Sequence, residues 1–323
     1  MDSATSLARD VEKLIGEMVA PEAGAGATLA VAVVHRGTVL AEWYGGDTLP
    51  DTTLISWSMA KSVTHALLGI LVHDGRLDPQ SPAAVTAWAD DTRSEITIQQ
   101  LLNMRSGLLF NEDYVDAEAS HCIEMLFGEG RADVAHYAAS LPLEHAPGAQ
   151  WNYASGTTNI LCRVAGDIVG GGADGMRAFL RDRLFGPLQM ESASPRFDDA
   201  GTFIGSSFLY ATASDFAKFG ELYRNGGRAN GHQVLPESWV EHATVPTPVP
   251  PGGAAHGYGA HWWLWPEYGG FAAHGYEGQR VIVIPERELT VVRLGKTVEV
   301  DGPAMEHQLR RIIERVPVSA SFS

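Results

Sequence analysis

Ser56-Trp57-Ser58-Met59-Ala60-Lys61-Ser62 is the stretch on which the reading of this chain turns. The chain has four lysines, Lys13, Lys61, Lys218 and Lys296, and only Lys61 stands three residues after a serine. From Ser56 to Val72 the pattern predicts a helix, with Val63, Leu67, Leu68, Ile70 and Leu71 as its apolar face and Asp74-Gly75 as its stop. Ser58 and Lys61 then lie one turn apart on one side. A lysine in the first turn opposes the positive end of the helix dipole, so a purely structural role is disfavoured there. A chemical role fits better: the amine form can take the Ser58 proton, and the helix N-terminus favours the negative charge that develops in the reaction. The short pattern also fits an N-capping serine beside a surface lysine, so the Ser/Lys hydrolase reading needs support from elsewhere.

Two further segments supply it. Trp151-Asn152-Tyr153-Ala154-Ser155-Gly156 runs into the helical Thr158 to Val164 and sets a tyrosine and a serine two residues apart on a loop entering a helix. A phenol close to a cationic lysine is expected to ionise more easily than its reference value of about 10 and to serve as a proton shuttle. Ala273-His274-Gly275-Tyr276-Glu277-Gly278-Gln279 directly precedes the strand Arg280 to Ile284. A glycine-containing edge strand there lets a substrate carbonyl approach and offers backbone N–H groups as an oxyanion hole.

In this order the three elements resemble the serine beta-lactamase and penicillin-binding superfamily, in its class C-like form. Its motifs are Ser-x-x-Lys, Tyr-x-Asn or Tyr-x-Ser, and Lys-Thr-Gly or His-x-Gly. Ser58, Lys61, Tyr153 and Ser155 fit, and His274-Gly275 departs from Lys-Thr-Gly. The resemblance is closer to the branch of 6-aminohexanoate-dimer hydrolases (nylon-oligomer hydrolases) and their esterase relatives. Phe110-Asn111-Glu112-Asp113-Tyr114-Val115-Asp116 is similar to that branch's Asn-Glu-Asp-Tyr-Val-Asp loop, and the resemblance implies that Tyr114 closes over the substrate and hydrogen-bonds its amide. Similar runs are Asp74-Gly75-Arg76-Leu77-Asp78-Pro79 and Ala211 to Gly220, and the matching blocks span about residues 28 to 295.

Composition agrees. With 323 residues and 45% apolar content the chain can bury a full core. Its net charge of −16 opposes nucleic-acid and anionic-membrane binding. Met1 to Ala20 carries Asp2, Asp10, Glu12 and Glu17 rather than a basic end and apolar centre, so a cytoplasmic protein is expected. Val11, Leu14, Ile15 and Met18 recur there at helical spacing. Cys122 and Cys162 give no disulfide framework, and His256 and His261, five apart in a Gly- and Trp-rich loop, lack the spacing of metal ligands. Neither a metal nor another cofactor is expected.

Thr28 to Val34 and Thr38 to Tyr44 alternate around Arg36-Gly37 as a hairpin; Arg280 to Ile284 and Leu289 to Leu294 read as a second; Pro303 to Val316 reads as a closing helix and Thr244 to Ala255 as an exposed loop. Strands at both ends and helices between predict an α+β fold of the beta-lactamase/transpeptidase kind. An antiparallel sheet built from both termini is flanked by helices, in a single catalytic domain over 1–323. About 1–75 and 200–323 form the α/β part, and about 76–199 a mostly helical insertion, with the chemistry in the cleft between. The expected reaction is acyl transfer through Ser58, with Lys61 and Tyr153 moving protons and Ser155, Tyr114, His274, Tyr276 and Glu277 around the substrate. The oxyanion is assigned to the N–H of Ser58 and one near Tyr276 or Glu277. The partner is a small linear ester or amide. Beta-lactam or D-Ala-D-Ala peptide chemistry ranks second, because His274 stands where a carboxylate-anchoring lysine is usual, and an inactive ligand-binding relative third.

Overall fold

The computed structural model describes residues 3–251, 254 and 257–320. Apolar residues set on both faces of successive strands demand cover on both sides, and the chain supplies it from its ends and its middle. The six-stranded sheet contains β1 (Ala27–His35), β2 (Thr38–Tyr44), β3 (Trp263–Trp265), β4 (Gly270–Gly275), β5 (Gln279–Ile284) and β6 (Leu289–Lys296), in the order β2-β1-β6-β5-β4-β3. All neighbours are antiparallel, and β1 pairs with β6 from Ala27↔Lys296 to His35↔Leu289. The first and last thirds of the chain therefore share one sheet, as the two hairpins in the sequence predict.

On one face Val31, Val33, Ile282, Ile284, Leu289 and Val291 meet the terminal helices. These are α1 (Ser3–Val19), which presents Val11, Ile15 and Met18, and a C-terminal helix, Gly302–Arg315. On the other face Val281, Val283, Val292 and Leu294 join the main core with the helix Ala213–Arg224, where a Cβ on Gly220 would lie 2.5 Å from Thr290 Cγ2. That contact requires a glycine if the helix is to rest on the sheet. Between β2 and β3 lie the helices Ile98–Leu102, His121–Phe127, Val134–Ser140 and Gly172–Leu180, with two longer ones at the centre: α2 (Ala60–His73) and α3 (Ser155–Val169).

The nucleophile helix differs from its sequence reading at its start. Trp57–Met59 is a 3₁₀ turn, and α2 begins only at Ala60. The reason is visible at Trp57, whose φ of 43° lies in the left-handed region and bends the chain sharply before the helix. The strand carrying His274 is likewise not a simple edge, because β3 lies outside it. β3 pairs only with Gly270–Ala272, so the Ala273–Gly275 end of β4 is left open beyond the last pair, and that is the end beside Ser58. Thr244 to Ala255 is not wholly exposed either: Thr247 is buried and bridges Tyr258, while Gly252, Gly253 and Ala255 lie outside the described residues. Among the described residues no helix is long and apolar enough to cross a membrane.

α2 also carries His65, one turn beyond Lys61, fully buried against Tyr223 Oη (2.7 Å) and His242 Nδ1 (3.2 Å), while His261 is buried against Leu102 O and Thr158 Oγ1. Burial holds all three imidazoles below the free value of 6.5, His261 at about 3. Their folded values being depressed, the unfolded chain takes up these protons first as pH falls. Their contribution to stability is complete above about pH 6.5 and is lost below it, by about 1.4 kcal/mol per pH unit per group. Thermal melts should show Tm falling from pH 7.5 to 5.5, above the carboxylate range; a constant Tm there contradicts the neutral buried cluster.

Candidate active site

Ser58 sits in a turn fixed from three sides. Ser56 is fully buried, its N–H donates to Leu209 O at 2.8 Å, and its Oγ accepts the Leu209 N–H at 3.1 Å. The Trp57 indole donates to Glu277 Oε2 at 3.2 Å, and its ring stands edge-on to Tyr276 at 5.8 Å. Trp57 and Glu277 both have positive φ, 43° and 59°, so two costly backbone conformations are locked against one another at the mouth of the site. Gly275 closes the third side: a Cβ there would lie 2.3 Å from Ser56 O, so only glycine lets β4 approach the turn.

Lys61 is 2% exposed. Its Nζ lies 2.9 Å from Ser58 Oγ, 2.9 Å from Ser155 Oγ and 3.0 Å from Ser206 O, and 4.8 Å from the centre of the Tyr153 ring. Three oxygens match the three donors of an ammonium. They also match an amine, which donates twice and accepts once. Ser206 is brought there by Gly205, whose Cβ would fall 2.3 Å from Thr64 Oγ1 and 2.5 Å from Cys162 Sγ; its own N–H donates to Asn159 Oδ1 at 3.2 Å. The sequence reading missed Ser206, and no side-chain signal could have revealed it, because the contact is a backbone carbonyl.

Tyr153 lies on the loop before α3, packed between Trp263 (5.3 Å), Tyr258 (6.0 Å) and Trp151 (6.4 Å). Here the expectation of an easily ionised phenol is corrected. Burial raises its pKa above 10; Lys61 and hydrogen bonding with Ser58 and Lys61 pull it back, but burial dominates and the phenol stays protonated. Ser155, the first residue of α3, is buried and accepts from Lys61. Glu112, named in the Tyr114 loop but given no role by the sequence reading, takes the Ser155 N–H (2.6 Å) and Oγ–H (2.5 Å).

The remaining residues line the mouth of a cleft of about 520 Å³ that has Ser58 in its wall. Tyr114, 40% exposed, lines this cleft, donates to Glu112 Oε1 at 2.9 Å and lies 5.1 Å from the Tyr276 ring. His274 stacks on Trp263 at 5.3 Å and accepts the Trp265 indole N–H at Nε2 (3.1 Å). Arg280, also unremarked in the sequence reading, brings a guanidinium to the same wall; burial pushes its pKa down to about 10. Of the histidines considered as metal ligands, His256 lies outside the described residues and His261 has both ring nitrogens engaged.

The model of the family described as Beta-lactamase matches residues 11–313. The 6-aminohexanoate-dimer hydrolase of Paenarthrobacter ureafaciens is 26% identical over 300 residues, 85% of this chain and 74% of that protein. Among solved structures, a proposed 6-aminohexanoate-dimer hydrolase from Bacillus anthracis superposes with a TM-score of 0.77 at 23% identity, covering 90% of this chain and 81% of that one. A family VIII carboxylesterase does so with 0.72 at 14% identity, over 96% and 98%. At these identities the two structures establish a shared fold.

Lys61→Arg tests the lysine geometry. Arginine keeps the charge but has five donors and no lone pair to offer, so it can hold Ser58 in place yet cannot accept its proton. Ester hydrolysis by purified Lys61→Arg should fall by at least about 10²-fold, close to Lys61→Ala. An arginine variant within about tenfold of the native protein would reduce Lys61 to electrostatic support.

Proposed function

The chain belongs to the Beta-lactamase family, and on that premise we propose that it is a serine hydrolase that forms an acyl-Ser58 intermediate on small linear esters or amides. The observation that carries this reading is the Lys61 Nζ held 2.9 Å from Ser58 Oγ by partners on two other segments. Lys61, as the amine, takes the Ser58 proton while Oγ attacks the substrate carbonyl carbon. The N–H of Ser58 and one N–H at Tyr276 or Glu277 receive the oxyanion. Tyr153, held protonated by burial, gives its proton to the departing oxygen or nitrogen and is refilled from the Lys61 ammonium. Water then attacks the acyl group by the reverse relay and releases the acid.

Substrate preference follows from the mouth. Tyr114, Trp263 and Tyr276 give it aromatic walls that suit apolar linear chains. An ester's alkoxide leaves with less help than an amine, so ester cleavage demands least of the relay. The relative from Paenarthrobacter is named as a hydrolase of 6-aminohexanoate dimer, a linear amide, which makes amides of that shape the second class to test.

Ser58→Ala should abolish hydrolysis of short p-nitrophenyl esters in a folded protein, and activity within about tenfold of native removes Ser58 from this role. Tyr114→Phe separates the substrate classes. Its hydroxyl can orient an amide nitrogen that must be protonated to leave, so amidase kcat/KM should fall by about 5- to 100-fold, equivalent to about 1–3 kcal/mol, with esterase changed much less. Equal falls on 6-aminohexanoate dimer and a p-nitrophenyl ester would give Tyr114 a general structural part instead.

A further inference from the structure

The Glu112 carboxylate accepts three hydrogen bonds. Oε2 takes the Ser155 N–H at 2.6 Å, and Oε1 takes the Ser155 Oγ–H at 2.5 Å and the Tyr114 phenol at 2.9 Å. Glu112 lies outside α3, yet it caps it: the N-cap residue Ala154 has no side chain to offer, and the remote carboxylate satisfies the first N–H at the positive end of the dipole. The second contact has a chemical consequence. A serine hydroxyl has one proton, and a carboxylate can only accept, so the Ser155 proton is committed to Glu112. Ser155 then offers Lys61 only lone pairs.

Around the Lys61 amine this settles the orientation. Ser206 O is a carbonyl and can only accept, and Ser155 Oγ is made to accept, so the two N–H bonds go to these two oxygens. The lone pair is left facing Ser58 Oγ at 2.9 Å, with the protonated Tyr153 phenol standing beside it. Were the Ser155 proton free, its hydroxyl could turn and donate to the same lone pair, in competition with the nucleophile.

Resting on the hydrolase reading above, we propose that Glu112 is a positioning residue: by fixing the Ser155 hydroxyl as an acceptor it aims the Lys61 lone pair at Ser58. The same carboxylate holds the Tyr114 phenol, so the residue lining the cleft and the residue behind the base share one anchor. A glutamine at 112 breaks the arrangement without a large change of shape. It has one acceptor oxygen for three donors, and its amide N–H₂ can donate to Ser155 Oγ and release the Ser155 proton towards Lys61.

The test is the p-nitrophenol burst, whose rate reports acylation, measured with the melting temperature for native protein, Glu112→Gln, Ser155→Ala and the double variant. The saturating burst rate should fall about tenfold or more in Glu112→Gln, with the half-saturating ester concentration within about threefold of native. Ser155→Ala should lose a similar factor. Glu112→Gln added to Ser155→Ala should cost no more than about twofold further, because the residue acts through Ser155. A Glu112→Gln protein with a lower Tm but a burst rate within about twofold of native would leave Glu112 as a helix cap only, and losses that multiply in the double variant would also overturn the proposal. Should Glu112→Gln not fold, Ser155→Ala retains the capped N–H, and a native burst rate in that variant overturns the proposal by itself. A native protein that cleaves no ester and takes no fluorophosphonate on Ser58 contradicts the hydrolase reading and this inference with it, whereas an active native protein with indifferent variants contradicts this inference alone.

Discussion

A buried amine held by three oxygens from three separate stretches of chain is the constraint around which this molecule is arranged. Removing a lysine head group from water costs several kcal/mol unless its hydrogen bonds are replaced. Here they are: by Ser58 from the turn before α2, Ser155 from the start of α3, and the Ser206 carbonyl from the segment leading back to the sheet. Each contact has structural consequences of its own. Gly205 must lack a side chain for Ser206 to reach Lys61, and Gly275 must lack one for β4 to reach the nucleophile turn. The nucleophile turn, the start of α3 and the returning segment thus meet at one nitrogen, and displacing any of them removes one of its partners.

The polarity of these contacts matters as much as their number. The phenol of Tyr153 is held protonated by burial although Lys61 stands beside it, which suits the proposed division of the proton traffic, a lysine to receive and a tyrosine to give. Behind them, in the arrangement proposed above, acceptor-only groups at Ser206 and Glu112 set which way Lys61 faces as an amine.

Much of this was legible in the sequence for definite reasons. Ser58 and Lys61 are separated by one helical turn, so their proximity is a local property and survives the 3₁₀ start that the periodicity did not show. The two hairpins announced themselves by alternation around Arg36-Gly37 and by apolar runs flanking Pro285, and their union into one sheet followed from helices filling the space between. What escaped is non-local or lacks a side-chain signature. The Ser206 contact is a carbonyl; Glu112 lies 43 residues from Ser155 in a loop that drew attention for its tyrosine. Arg280 has the pattern of a strand start, and nothing in the sequence brings its guanidinium to the cleft that it lines. For Tyr153 the sequence shows the nearby cation but not the burial that opposes and outweighs it.

Whether Ser58 Oγ carries the acyl group is tested most directly by rapid-quench intact-mass spectrometry with peptide mapping. Mixed with a short p-nitrophenyl ester and quenched in acid within the burst, the protein should gain the mass of one acyl group, and the modified peptide should place it on Ser58. An acyl group mapped to another residue, or hydrolysis that proceeds with no covalent species at any quench time, would contradict the acyl-Ser58 mechanism.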